Sequence, residues 1–141
     1  MLRIQAFLLL FVVTIVIALL KGSREERATA CILVGAAVAT GLVMQPLPSR
    51  GVTFDLGVFL VDLTTWLLLV ALMCRSDRLW LILMVALQNA VLLFHAMKAV
   101  APDILARFYW DYTAGWSWAM LLLLLASTVR TMRARRTTPT C

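Results

Sequence analysis

The stretch from 56 to 99 reads LGVFLVDLTTWLLLVALMCRSDRLWLILMVALQNAVLLFHAMKA. Two apolar runs, 56–74 and 79–99, flank the tetrapeptide Arg-Ser-Asp-Arg. Each run has about the 20 residues that a helix needs to cross a bilayer, and neither alternates apolar with polar residues as a barrel strand does. The stretch therefore predicts a hairpin of two antiparallel membrane-spanning helices.

Three further apolar runs of similar length lie outside this hairpin, at 4–20, 29–46 and 113–130. Of the 141 residues, 63% are hydrophobic and only 14% are charged, whereas a soluble domain is about half apolar and a quarter charged. This composition excludes a disordered chain, a secreted disulfide scaffold and a water-soluble globule. We predict a single all-α domain, an integral membrane bundle of five transmembrane helices.

The basic residues set the expected orientation, because cytoplasmic loops of membrane proteins are enriched in Lys and Arg. With the C-terminus in the cytoplasm, most of the thirteen basic residues lie inside, namely Lys21, Arg24, Arg27, Arg75, Arg78, Arg130, Arg133, Arg135 and Arg136. We therefore expect an N-out, C-in topology with a basic cytoplasmic tail over 131–141. The run 4–20 is too long for the apolar part of a signal peptide and no cleavage site follows it, so it is expected to remain as the first span.

The net charge of +6 would suggest nucleic-acid binding in a soluble protein. Here the basic residues flank apolar runs, so the expected partner is the lipid bilayer and no nucleic acid is expected. Four arginines near the C-terminus are predicted to contact anionic lipid head groups: Arg130, Arg133, Arg135 and Arg136. Size and hydropathy are typical of small bacterial inner-membrane proteins, which favours that location.

The cysteines show no metal-binding or redox spacing. In the expected topology Cys31, Cys74 and Cys141 all face the reducing cytoplasm, so we predict free thiols. We further expect Cys31 and Cys74 to be buried, as most unpaired cysteines are.

The connection before the last run has an amphipathic pattern. Asp103, Arg107 and Asp111 recur at i, i+4 and i+8, and apolar and aromatic side chains occupy the opposite face. We predict a short helix over 102–112 that lies in the head-group plane. The anchoring residues of this helix and of the last span are Asp103, Arg107, Trp110, Tyr112, Trp116 and Trp118. A lid over an outward-facing cavity is the alternative interpretation.

Small residues mark the second run. Gly35 and Ala39, and likewise Ala37 and Gly41, are four residues apart, a spacing that lets helix backbones approach closely in lipid. We expect Gly35, Ala39 and Gly41 to pack inside the bundle or against another protomer.

Polar residues inside the hairpin are the candidate site. An aspartate near the middle of a membrane costs about 2.5–3.5 kcal/mol on insertion scales unless a partner relieves it. Counting from the hairpin at about 1.5 Å per residue puts Asp62 close to the height of Gln88, with His95 about one turn above. We therefore predict one buried polar cluster of Asp62, Gln88, Asn89 and His95.

Two functions follow from this cluster. Hydrogen bonds between helices would make the chain a non-enzymatic structural or accessory subunit, associating with other membrane subunits or with itself. Alternatively, an Asp–His pair suits a small proton-linked transporter, because imidazole titrates near neutral pH. A membrane-embedded enzyme ranks third, since no catalytic motif is present.

No metal or cofactor is predicted. Haem ligation by His95 with Met97 or Met44 is conceivable chemistry, but the chain has one His and methionines usually fill gaps between helices. The adjacent Glu25 and Glu26 are interpreted as part of a solvated, charged turn.

Overall fold

A computed structural model describes residues 2–43, 55–100 and 109–137, and it describes the side chains of all of these except 109–114. Within these ranges 94% of the residues are helical and there is no strand. The helices are α1 (Leu2–Lys21), α2 (Arg24–Val43), α3 (Leu56–Cys74), α4 (Leu79–Val100) and α5 (Tyr109–Thr137). The predicted all-helical fold is confirmed, and α3 has the predicted bounds.

The surface of the bundle is apolar. Four helices, α1 to α4, are long and apolar enough to cross a membrane. Large apolar side chains face outward on them: Leu2, Leu42 and Leu79 each leave about four-fifths of their surface exposed. A soluble bundle would bury such side chains. The exposed apolar surface of these helices therefore indicates a membrane protein.

The five helices pack in a ring that follows the order of the chain. Each helix contacts the next, α5 returns to contact α1, and α2 also contacts α5. Phe7 of α1 packs edge-on against Trp118, with ring centroids 5.6 Å apart. At the other end of the same pair, Arg135 Nη1 donates to the Lys21 carbonyl at 3.3 Å. Helices α1 and α5 are therefore parallel, and the start of α1 lies at the opposite end of the bundle from the end of α5.

Basic residues gather at one end of the bundle. Arg135 contacts Lys21, and Glu25 lies within electrostatic range of both Arg24 and Arg78. We call this the basic end and define it by Lys21, Arg24, Arg78 and Arg135. It unites the ends of α1 and α5 with the start of α2 and the α3–α4 turn.

The turn between α1 and α2 is shorter than expected. The sequence predicts a loop up to residue 28, but α2 begins at Arg24 and only Gly22 and Ser23 connect the helices. Ser23 and Glu26 form a reciprocal capping box: the Ser23 N–H donates to Glu26 Oε2 at 2.7 Å and the Glu26 N–H donates to Ser23 Oγ at 3.4 Å. This cap satisfies backbone groups at the helix start, which is why α2 extends a turn earlier.

The α1–α2 turn requires glycine at position 22, because the end of α1 and the start of α2 lie close to its Cα atom. Its N–H donates to the Ala18 carbonyl at 2.9 Å. A Cβ at this position would overlap the same carbonyl oxygen and lie 3.0 Å from Glu26 Cβ. The absence of a side chain therefore allows α1 to turn directly into α2.

The last helix differs from the prediction at both ends. The sequence predicts a boundary at 112–113 and the end of the span at 130, but α5 is continuous from Tyr109 to Thr137. No Pro or Gly occurs between 116 and 137, and nothing else interrupts the backbone hydrogen bonds there. Residues 131–137 of the predicted tail are therefore helical.

The cysteines are only partly as predicted. Cys31 and Cys74 are free thiols, in agreement with the sequence. Both are exposed, so the expectation of burial is wrong: each lies on a helix face turned away from the neighbouring helices.

Candidate functional site

The site forms where α3 packs against α4. Asp55 caps α3, its Oδ1 accepting from the Val58 N–H at 3.2 Å. Asp62 lies two turns further on, on the same helix face. Its side chain is 22% exposed, so the carboxylate lies at the edge of the interface between the two helices.

Both carboxylate oxygens of Asp62 have a partner on α4. Gln88 Nε2 donates to Asp62 Oδ1 at 3.1 Å and to the Asp62 backbone carbonyl at 3.2 Å. His95 Nε2 lies 2.8 Å from Asp62 Oδ2. Gln88 and His95 are two helical turns apart and share a face, so they hold the carboxylate from below and above. We call these three residues the Asp62 cluster.

The arrangement compensates a charge that lipid would make costly. A buried carboxylate is tolerated when its oxygens accept hydrogen bonds or face a cation. Here the Gln88 amide donates to one oxygen and the His95 Nε2 atom faces the other, as a donor in the tautomer that carries its hydrogen on Nε2. The cluster can therefore tie two helices or hold a transferable proton.

An aromatic ring fixes the imidazole. Phe59, one turn before Asp62, packs edge-on against His95 with ring centroids 6.0 Å apart. The His95 side chain is only 3% exposed. Phe59 therefore covers the imidazole and restricts its orientation towards Asp62.

The charge pattern continues away from the basic end. Lys98, one turn beyond His95, is 3% exposed and lies within electrostatic range of Asp55. Asp55, which caps α3, and Asp62 within α3 thus lie near Lys98 and His95 of α4. This charge complementarity favours the antiparallel pairing of the two helices.

Asn89 does not join the cluster. It is exposed and does not contact Asp62 in the part of the chain described here. Successive residues of a helix are rotated by about 100°, so Asn89 turns away when Gln88 faces α3. The predicted four-residue cluster is corrected to three residues.

A second buried carboxylate, Glu26, lies at the basic end and is missed by the sequence interpretation. Glu26 is 1% exposed, although the sequence predicts a solvated turn. Its Oε1 accepts from Ser127 Oγ at 2.6 Å and from Thr131 Oγ1 at 2.8 Å, while Oε2 accepts from the Ser23 N–H. The available signal was the Ser-x-x-Glu spacing of a capping box, which places the Glu side chain back over the helix start.

The two glycines of α2 do not pack against another of the described helices of the bundle. A Cβ added at Gly35 or Gly41 meets nothing within 4 Å, and Ala39 is half-buried. Packing inside the bundle therefore does not explain the two glycines within the described ranges. Their contact with another protomer stays a prediction.

The aromatic anchors are only partly described. Asp103 and Arg107 lie outside the described residues, and Trp110 and Tyr112 belong to the α5 backbone without a described side chain. Trp116 is half-buried, and Trp118 packs on Phe7. The four predicted head-group arginines, at positions 130, 133, 135 and 136, are all exposed; their lipid contacts stay a prediction.

The described residues contain no group of three His, Cys, Asp or Glu side chains that could hold a metal. Met97, the described candidate for haem ligation, lies on the same helix as His95 and is 47% exposed, so it does not oppose the imidazole across a gap. No protein family, curated protein or solved structure shows significant similarity to this chain.

Proposed function

We propose that this chain is a non-enzymatic membrane subunit, a five-span bundle that acts through helix packing as a structural or accessory component of the bacterial inner membrane. The observation that carries the proposal is that two carboxylates, Asp62 and Glu26, each have polar partners on a neighbouring helix. Every oxygen of these two carboxylates accepts or faces a polar group. Removing one partner of such a contact leaves a buried polar group uncompensated, so these contacts favour one arrangement of the helices.

The arrangement of the helices supports an N-out, C-in topology. Lys21, Arg24, Arg78 and Arg135 share the basic end, as the positive-inside rule requires of a cytoplasmic face. Helix α5 runs parallel to α1, and its predicted span 113–130 carries no charged residue before Arg130, which suits a fifth crossing. The exposed arginines at the end of α5 would then meet anionic head groups on the inner leaflet.

Two substitutions of Asp62 distinguish a structural role in helix packing from a role in proton transport. Asp62→Leu removes every hydrogen bond of the side chain, whereas Asp62→Asn keeps its shape and an acceptor oxygen but removes its titratable proton. The purified chain is assayed for thermal stability in detergent and, in proteoliposomes, for proton flux with an internal pH dye. Asp77→Asn and Asp77→Leu at an exposed turn residue are the matched controls.

For a structural subunit we expect Asp62→Leu to lower the melting temperature by several degrees, with the Asp77 variants unchanged and no Asp62-dependent proton flux. Asp62→Asn should retain most of the stability. Loss of proton flux in Asp62→Asn with intact stability would contradict the proposal.

The second candidate, a proton-linked transporter, is favoured by one specific observation. His95 Nε2 and Asp62 Oδ2 are 2.8 Å apart, and the Asp62 side chain is partly exposed. The flux assay above decides between the two functions, and a pH-dependent flux lost in Asp62→Asn would establish the transporter.

The accessory role also requires a partner. We expect a partner to remain bound in stoichiometric amount after solubilisation in mild detergent: another membrane protein, identified by mass spectrometry, or a second copy, detected by the mass of the complex. Recovery of the chain as a solitary monomer under all such conditions would argue against a subunit.

A further inference from the structure

One face of α4 is turned away from the rest of the bundle. Its residues follow one another at alternating intervals of three and four: Leu79, Ile82, Ala86, Asn89, Leu93, Ala96 and Val100. All seven are exposed, with Leu79 at 79% and Val100 at 87%. We call this row the α4 seam. The neighbouring face of α4, which includes Gln88 and His95, is buried.

The spacing of the α4 seam is that of a coiled coil. A repeat of about 3.5 residues per turn keeps one row facing a partner helix when both helices supercoil to the left. Copies of one membrane protein insert with the same orientation, so two α4 helices would meet in parallel. Around a twofold axis each seam residue then lies opposite its own equivalent.

Asn89 distinguishes this seam from the other apolar surfaces. It lies midway along the 22-residue helix, and no partner for its amide lies within the described ranges. An amide surrounded by hydrocarbon loses hydrogen bonds that water would supply. Its side chain is self-complementary, because it carries both N–H donors and a carbonyl acceptor. A second Asn89 at the same depth in the membrane would satisfy both the donors and the acceptor of this amide.

We propose that two copies of this chain pair through their α4 seams, with the Asn89 amide of each copy bonded to Asn89 of the other. The small side chains of Ala86 and Ala96 let the two backbones approach on either side of Asn89. A single Asn in an otherwise apolar seam fixes register and oligomeric state. This inference rests on the proposed function and specifies its partner as a second copy, and the pairing leaves the Asp62 cluster on its own face of α4.

The oligomeric state of the full chain tests the inference. Fluorescently labelled protein is reconstituted in lipid bilayers, and dimer formation is measured by energy transfer over a range of protein-to-lipid ratios. Interhelical hydrogen bonds in membranes contribute about 0.6–1.7 kcal/mol, so Asn89→Leu should weaken the dimer about three- to eighteenfold. Asn89→Gln, which keeps an amide, should restore most of the affinity. Leu83→Ala, exposed on α4 but about 100° from the seam, should have little effect.

Disulfide trapping gives a second, geometric measurement. In a chain whose native cysteines are replaced by Ser, Ala86→Cys should cross-link to a dimer on mild oxidation, because seam positions bring Cα atoms within about 4–7 Å. Leu83→Cys should not cross-link. Both substitutions fall on exposed positions and leave the bundle interior unchanged.

A monomer at every protein-to-lipid ratio would overturn the inference. So would a dimer that is insensitive to Asn89→Leu, in particular one that is broken by Gly35→Ile on the open face of α2. In either case an Asp62-dependent melting temperature would leave the proposed structural role standing. The two proposals therefore fail separately.

Discussion

Ser127 of α5 donates a hydrogen bond of 2.6 Å to Glu26 Oε1 of α2, across 101 residues of the chain. Thr131, one turn further along α5, donates to the same oxygen at 2.8 Å. The contact joins the second helix to the last at the basic end. Glu26 belongs to a run of charged residues in the sequence, but this contact makes it part of the interface between α2 and α5.

The first prediction concerns Glu26. Glu26→Ala should lower the free energy of unfolding by about 2–4 kcal/mol, because two hydroxyls and the Ser23 N–H lose a charged acceptor. The measurement is reversible unfolding in mixed micelles. The matched control is Glu25→Ala, which removes the neighbouring charge but none of these three bonds. Equal losses for both variants would show that charge at the helix start, and not the buried network, stabilises the bundle.

The second prediction concerns the α1–α2 turn. Gly22→Ala should destabilise the chain by about 1–3 kcal/mol, because the added methyl group would overlap the Ala18 carbonyl and force a backbone shift. The same substitution at Gly35 meets no atom within 4 Å and improves helix propensity, so it should be neutral or stabilising by up to about 1 kcal/mol. Thermal melting in detergent compares the pair, and a neutral Gly22→Ala would be inconsistent with this close approach.

A third prediction concerns the coupling of α3 to α4. Gln88→Leu should lower the free energy of unfolding by about 1–3 kcal/mol, because Asp62 loses two hydrogen bonds from the amide. Such bonds average about 0.6 kcal/mol each in membranes. The loss is larger where a buried charge is left without its donor. Asn89→Leu is the matched control, and it should not reduce the stability of the monomeric bundle. A double-mutant cycle with Asp62→Leu should show coupling for Gln88 and none for Asn89.

The fourth prediction concerns membrane topology. Cys31 and Cys74 are exposed on the bundle surface but lie near the basic end, so an impermeant thiol reagent added outside intact cells should label neither. A cysteine introduced by Leu2→Cys, at the opposite end of α1, should be labelled in a chain lacking the native cysteines. Labelling of Cys74 from outside would reverse the proposed orientation.

The sequence predicts the α3–α4 hairpin well because a four-residue connection leaves little freedom in the relative height of two helices. That argument predicts that Asp62 lies near the height of Gln88 with His95 about one turn above, and in the structure both side chains reach the carboxylate of Asp62. The height of Asn89 also matches, but its rotation of about 100° from Gln88 turns it to the exposed face of α4, so height does not suffice to place a residue in the cluster.

Contacts between segments that are distant in the chain are not predicted from the sequence. Glu26 looks solvated when its neighbours Arg24, Glu25 and Arg27 are considered alone. Its burial depends on hydroxyls a hundred residues away, and nothing local indicates which helix will supply them. The Ser23–Glu26 spacing shows where α2 begins, but not what covers the carboxylate afterwards.

The Glu26–Ser127 contact also bears on how the chain is made. A ribosome adds about 5–20 residues per second, so roughly 5–20 s separate the synthesis of the acceptor from that of its donors. During this interval Oε2 can accept from the adjacent Ser23 N–H, but Oε1 must rely on water or lipid head groups for its hydrogen bonds. Chains arrested before the last segment would therefore lack both protein donors to this oxygen.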